Sequence, residues 1–160
     1  SKEEELNSMD EDNDYLYFIS QGIVRFYLIN DEGLQKNISF IDEGNFFANP
    51  YSLHGENNAE LKIKAVGNLI TARISKSAFN LYCKKNRKVE KIRTDIILHQ
   101  YNSLLEKNIL ESTGSSEIQY LRLIQKNPHF ERKIPVKILA DYIGIHPNSL
   151  SRIRKQLNMT

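Results

Sequence analysis

Thiols are almost absent from this chain: Cys83 is the only cysteine in 160 residues. One thiol excludes a disulfide framework, a cysteine-based zinc site and a four-thiolate iron–sulfur cluster, and it fits a reducing, cytoplasmic setting. Cys83 lies in SAFNLYCKKN, whose apolar residues have helical spacing, so it is expected as a small buried hydrophobe. The adjacent lysines leave a redox-sensing thiol as the alternative. His54, His99, His129 and His146 are scattered, with no H-x-H or H-E-x-x-H pair to hold a metal, and no cofactor is called for. No apolar run approaches the roughly 18 residues of a membrane span, so no membrane partner is expected. The opening SKEEEL lacks the apolar core of a secretory signal, and the chain begins at Ser1 rather than Met.

The composition that remains is that of a folded chain, 40% hydrophobic and 26% charged. Its formal net charge of +2 conceals an asymmetry. Residues 1–80 carry 7 Lys/Arg against 13 Asp/Glu, whereas residues 81–160 carry 15 against 7. An acidic half joined to a basic half points to two jobs, the basic one facing a polyanion. The alternative is two unrelated solvated faces.

From Tyr15 to Ser75 short aromatic and β-branched runs alternate with turn residues. Tyr15–Ile19 and Ile23–Ile29 read as strands, Asn30–Gly33 as a hairpin loop and Leu34–Ile41 as the returning strand. Leu61, Ile63 and Ala65 alternate with Glu60, Lys62 and Lys64. Gly67–Asn68 then reads as a turn into a partner strand, Leu69–Ile74. Short strands with no helix between them predict an antiparallel jelly roll.

Ser77 is placed to cap a short helix ending near Lys85. A long helix follows over about Lys88–Leu110, with Val89, Ile92, Ile96, Ile97, Tyr101, Leu104, Leu105 and Ile109 at spacings of three and four. Roughly 35 Å of apolar stripe exceeds what a small roll covers, so Ile92, Ile96, Ile97, Tyr101, Leu104 and Leu105 are candidates for a homodimer seam. An ordinary core helix is the alternative. Glu111–Ser116 is the best domain break, after which Ser115 or Ser116 caps a helix ending before Asn127–Pro128.

The most specific pattern is IPVKILADYIGIHPNSLSRIRKQL, residues 134–157. Pro135 suits a first helical turn, and Val136, Leu139, Ala140 and Ile143 form one apolar face. Gly144 permits a sharp left-handed turn, and Pro147 restarts a helix with Leu150, Ile153 and Leu157 inward. This is the packing logic of a helix-turn-helix. No acidic residue occurs between positions 146 and 157. Asn148 and Arg152 stand where bases of double-stranded DNA would be read; His146, Ser149, Ser151, Arg154 and Lys155 are candidates for its backbone. A helical hairpin with a solvated basic face is the bland alternative.

The order of roll, long helix and helix-turn-helix, with the phrases DYLYFISQGIVRFYLI, EGNFF and IPVKILADYIGIHPNSLSRIRK, resembles the Crp/Fnr family of bacterial transcription regulators. The resemblance spans nearly the whole chain. It implies an α+β protein with an N-terminal cyclic-nucleotide-binding-like jelly roll over residues 1–85. A dimerisation helix over 86–111 and a DNA-binding domain over 112–160 would follow. It also implies a homodimer on a palindromic operator, answering to a small-molecule effector sensed by the roll.

Members that bind cyclic nucleotides carry a Glu for the ribose after the G-x-F turn, then an Arg for the phosphate followed by Ser or Thr. Here Asn49 stands at the Glu, Ala59 at the Arg and Glu60 at the hydroxyl position. A phosphate would meet a carboxylate and no cation, the wrong sign to hold it. The resemblance therefore implies a degenerate pocket that does not take cyclic AMP. The family's usual N-terminal helix and strand are not seen before Tyr15. The chain ends at Thr160, just after the reading helix, so a β-hairpin wing could only be sought near His129–Lys133. The rivals are a metal-dependent cupin-type enzyme on the same roll, for which the strands offer only His54, and a non-specific anion- or protein-interaction module.

Overall fold

The structure, a computed structural model, describes residues 15–49 and 61–157. Two compact units, Ser1–Ser103 and Leu104–Thr160, divide within a long helix. The architecture is α+β, an antiparallel sheet followed by helices.

The first unit is built on strand β1, Tyr15–Ile29, which pairs antiparallel with β2 (Gln35–Asp42), β3 (Phe46–Phe47) and β4 (Lys62–Ser75). Asn30 closes the β1–β2 loop: its Oδ1 accepts from the amides of Glu32 and Leu34 at 3.2 and 2.7 Å. Alternate residues of β1, Val24 and Phe26, enter a core with Ile19, Ile41, Phe47, Leu61 and Ile63. Phe47 also stacks on Tyr17, with ring centroids 5.0 Å apart.

The expected hairpin turn at Gly67–Asn68 is not there. β4 runs unbroken through it, and both of its halves pair with β1. The glycine signal instead marks an irregularity in the ladder, where the register shifts between Ile19 and Ile23. Gly22 sits opposite with φ +106°, and a Cβ there would lie 2.4 Å from the Asn68 carbonyl oxygen. Only glycine permits that approach. Two local turn signals, one on each strand, serve one shared kink.

Helix α1 (Lys76–Lys85) is capped two residues earlier than expected, by Ser75, whose hydroxyl accepts from the Ala78 amide at 3.3 Å. The 27-residue helix α2, Arg87–Thr113, follows. Phe79 and Cys83 of α1 and Ile96 of α2 join Leu16 and Ala48 in a second core. The Cys83 thiol is buried there, facing the Val89 carbonyl at 3.8 Å. Ile96 is only 8% exposed, so this member of the expected dimer seam is turned into its own unit. The other five are exposed.

The second unit contains α3 (Ser116–Lys126), α4 (Phe130–Lys133), α5 (Val136–Ile143) and α6 (Pro147–Leu157). Ser115 caps α3 through the Ile118 amide at 3.4 Å. The segment considered for a β-hairpin wing, His129–Lys133, is instead the short helix α4 and its cap. No helix among the described residues is long and apolar enough to cross a membrane.

Candidate nucleic-acid interface and sensor roll

The two helices α5 and α6 are built from local signals. Pro135 lies at the N-cap of α5, its carbonyl accepting from Ile138 and Leu139 at 2.9 and 3.1 Å. Gly144 ends the helix at φ +81° and ψ 32°, and the Ile145 amide donates back to the Ala140 carbonyl at 2.9 Å. Leu139, Ala140 and Leu150 are completely buried, so the small Ala140 side chain sits in the core of the motif. Directly before α6, His146 caps it: its Nδ1 accepts from the Asn148 amide at 3.2 Å. The side chain expected at a DNA phosphate therefore has a structural task as well.

With Leu150 inward, the opposite face of α6 is settled by helical spacing. Asn148, Ser151, Arg152 and Lys155 are exposed along one stripe, and Ser149 is half-buried at its edge. These are five of the seven residues expected from the sequence to meet DNA, brought together on one face.

Arg154 departs from that set. Its Nε donates to Glu131 Oε1 at 3.2 Å and its Nη2 to the Glu131 backbone carbonyl at 3.1 Å. The same carboxylate oxygen accepts from the Tyr120 hydroxyl at 2.7 Å. Burial, then this hydrogen bond, push the Tyr120 phenol well above its ordinary pKa, so it remains a donor. The basic side chain expected at a phosphate is a strut tying α6 to α3 and α4. Glu131 and Tyr120 had no sequence signal of their own; the pairing spans 23 residues from Glu131 to Arg154.

The C-terminal end of α2 is tied into the same unit. Lys107 lies over the Tyr142 ring at 4.3 Å from its centroid, and Lys126 pairs with Glu106. Burial, with Glu111 and Glu106 adding to it, pushes the Tyr142 phenol up to about 12.

In the roll, Asn49 is 6% exposed, while Ala59 and Glu60, the other two positions of the degenerate pocket, lie outside the described residues, as does His54. Among the described residues no group of three His, Cys, Asp or Glu could hold a metal ion.

The model of the cyclic nucleotide-binding domain matches residues 1–86, more than half of the chain. The chain belongs to the cyclic nucleotide-binding domain family. Its fold is also that of solved Crp/Fnr regulators. FixK2 from Bradyrhizobium japonicum superposes with a TM-score of 0.83 at 17% identity, covering 99% of this chain and 81% of that one. A transcriptional regulator of the CRP family from Thermus thermophilus gives 0.73 at 13% identity over 99% and 85% of the two chains. A CooA variant from Carboxydothermus hydrogenoformans gives 0.73 at 12% identity over 99% and 74%. No curated protein matches the sequence. The family assignment accounts for the roll, and the shared fold extends the likeness through the helix-turn-helix.

Proposed function

We propose that this cyclic nucleotide-binding-like protein is a dimeric, cytoplasmic, sequence-specific DNA-binding regulator rather than an enzyme. The observation that carries the reading is the face of α6. Asn148, Ser151, Arg152 and Lys155 form one exposed stripe, with no acidic residue between positions 146 and 157. Such a stripe suits the major groove, with Asn148 and Arg152 at base edges and Ser149, Ser151 and Lys155 at phosphates. The exposed Ile92, Ile97, Tyr101, Leu104 and Leu105 of α2 support pairing with a second copy, because a run of large apolar side chains left in water is costly. Pairing would set two reading helices at half-sites about 34 Å apart. The roll's Asn49, Ala59 and Glu60 do not supply the charge a cyclic phosphate needs, so an unidentified effector, and not cyclic AMP, would act there.

The test is operator selection from random DNA, followed by binding of Arg152→Ala to the selected site and to each single-base variant of it. Loss of about 1–3 kcal/mol on the selected site, with relaxed discrimination at one base pair, is expected. Equal weakening on every sequence would remove Arg152 as a base reader.

A further inference from the structure

The roll holds a buried charge that its described surroundings do not neutralise. Arg25, in the middle of β1, is 4% exposed. Its Nη1 donates to Asn37 Oδ1 at 2.8 Å, and its Nη2 to Gln35 Oε1 at 2.8 Å. The guanidinium carbon lies 4.5 Å from the centroid of the Tyr27 ring. All three neighbours are neutral, and the buried Nε has no hydrogen-bond partner. No carboxylate pairs with Arg25 among the described residues.

The neighbours on the same sheet face carry both signs of charge. Cross-strand partners share a face, and β4 sets Lys64 opposite Arg25 and Lys62 opposite Tyr27. Three cations thus occupy adjacent rows of one face, with Asp42 opposite Ile23 in the next row on the β2 side and already accepting from Asn45 at 2.9 Å. A buried cation without a counter-charge is expensive, and amide oxygens and an aromatic face repay only part of that cost.

The open valence has a definite shape. On a guanidinium, Nε and Nη2 form the side-on fork that receives a carboxylate or a phosphoryl group through two parallel hydrogen bonds. Here Nε is vacant and Nη2 is held only by Gln35, an exposed residue at the first position of β2. If the Gln35 amide swings outward, the whole fork is free, while Asn37 continues to hold the guanidinium by Nη1. We propose that Arg25 anchors a small anionic ligand, bound by a carboxylate or phosphoryl group at this fork, with Gln35 as its displaceable plug. The proposal deepens the reading of the roll as a sensor. It sits at positions other than Asn49, Ala59 and Glu60, on the face of β1 opposite the Val24 and Phe26 core.

Thermal unfolding of the full chain, without DNA, tests it independently of the DNA-reading assignment. Inorganic phosphate and succinate are titrated separately at constant ionic strength. At least one is expected to raise the unfolding midpoint, with the folded-to-unfolded ratio rising about 100-fold at 100 times Kd. A response to only one of the two identifies the chemical class. Arg25→Met should lose the response, and Gln35→Ala should show it at lower anion concentration. Asn37→Asp places a carboxylate against the guanidinium, so it should stabilise the anion-free protein and blunt the response. This variant keeps the test decisive if Arg25→Met does not fold. Indifference of the natural chain to both anions, an unchanged response in Arg25→Met, or destabilisation by Asn37→Asp would each overturn the proposal.

Discussion

Arg154 of the helix-turn-helix unit, the head, and Arg25 of the roll are two arginines withdrawn from water in opposite ways. In the second unit two charged contacts are specific: Tyr120 and Arg154 converge on one Glu131 carboxylate, and Lys107 covers Tyr142. In the roll, Arg25 is buried more completely than any of these charges, yet among the described residues only neutral groups meet it. A satisfied network rigidifies a single arrangement, whereas an unsatisfied charge leaves an arrangement that a ligand can improve. The difference teaches where each proposed task would reside: α6 is held in one arrangement by Arg154 and Glu131, and the roll keeps a charge that a ligand could still satisfy.

The largest expected effect strikes the head's core. Leu150→Ala removes a completely buried side chain between α5 and α6 and should cost about 2–5 kcal/mol, measured by denaturant unfolding. If the two units are as independent as their internal packing indicates, the roll's transition should persist when the head's is lost. A single transition that shifts as a whole would break the comparison.

A smaller pair of substitutions separates two kinds of glycine. Gly144→Ala meets only the left-handed backbone penalty, about 1–2 kcal/mol, because nothing lies within 4 Å of the new Cβ. Gly22→Ala carries that penalty and a collision with the Asn68 carbonyl as well. Unfolding of the two variants should therefore rank Gly22→Ala as the more damaging. Equal losses would mean that the β1–β4 kink yields easily.

Arg154→Ala should cost roughly 1 kcal/mol of head stability, since the ion pair is partly exposed. It should leave the salt dependence of DNA binding unchanged if the Glu131 contacts of Arg154 persist on DNA. Lys155→Ala should do the reverse, lowering the salt slope by about one phosphate contact at little cost in stability. A reduced slope in Arg154→Ala would return this residue to the interface.

The last effect is silent at neutral pH and appears only at alkaline pH. Tyr142 has a folded-state pKa near 12 against an ordinary 10, so the folded form holds its proton more tightly. Its contribution is complete below pH 10 and is lost as pH rises from about 10 to 12. Tyr142→Phe should flatten that decline in a stability–pH series, while a decline of unchanged steepness would show that the phenol is not the titrating group.

How much of this was legible in the sequence follows from the range of each determinant. The helix-turn-helix was, because Pro135, Ala140, Gly144, Pro147 and Leu150 act over one or two helical turns. So was the long helix, from its repeat of apolar residues. The kink of β4 was not: Gly67–Asn68 looks locally like a hairpin, and only Gly22, 45 positions earlier, makes it a shared irregularity. Arg154 looked like one more basic residue of α6 until Glu131 was placed beside it. Ile96 belongs to the same stripe as Ile97, and only the packing of α1 and the start of β1 decides which faces inward. For Arg25 a signal existed: a single charge inside IVRFYLI, a run with no other charged residue.

The central claim is that the outer face of α6 reads DNA sequence. Its most direct test is a binding titration of the full chain on its selected operator and on random DNA across a salt series. Both affinities should fall with salt along steep lines, with the operator remaining at least about 1,000-fold tighter at physiological salt. Two superimposed lines, with no preference for any sequence, would contradict it.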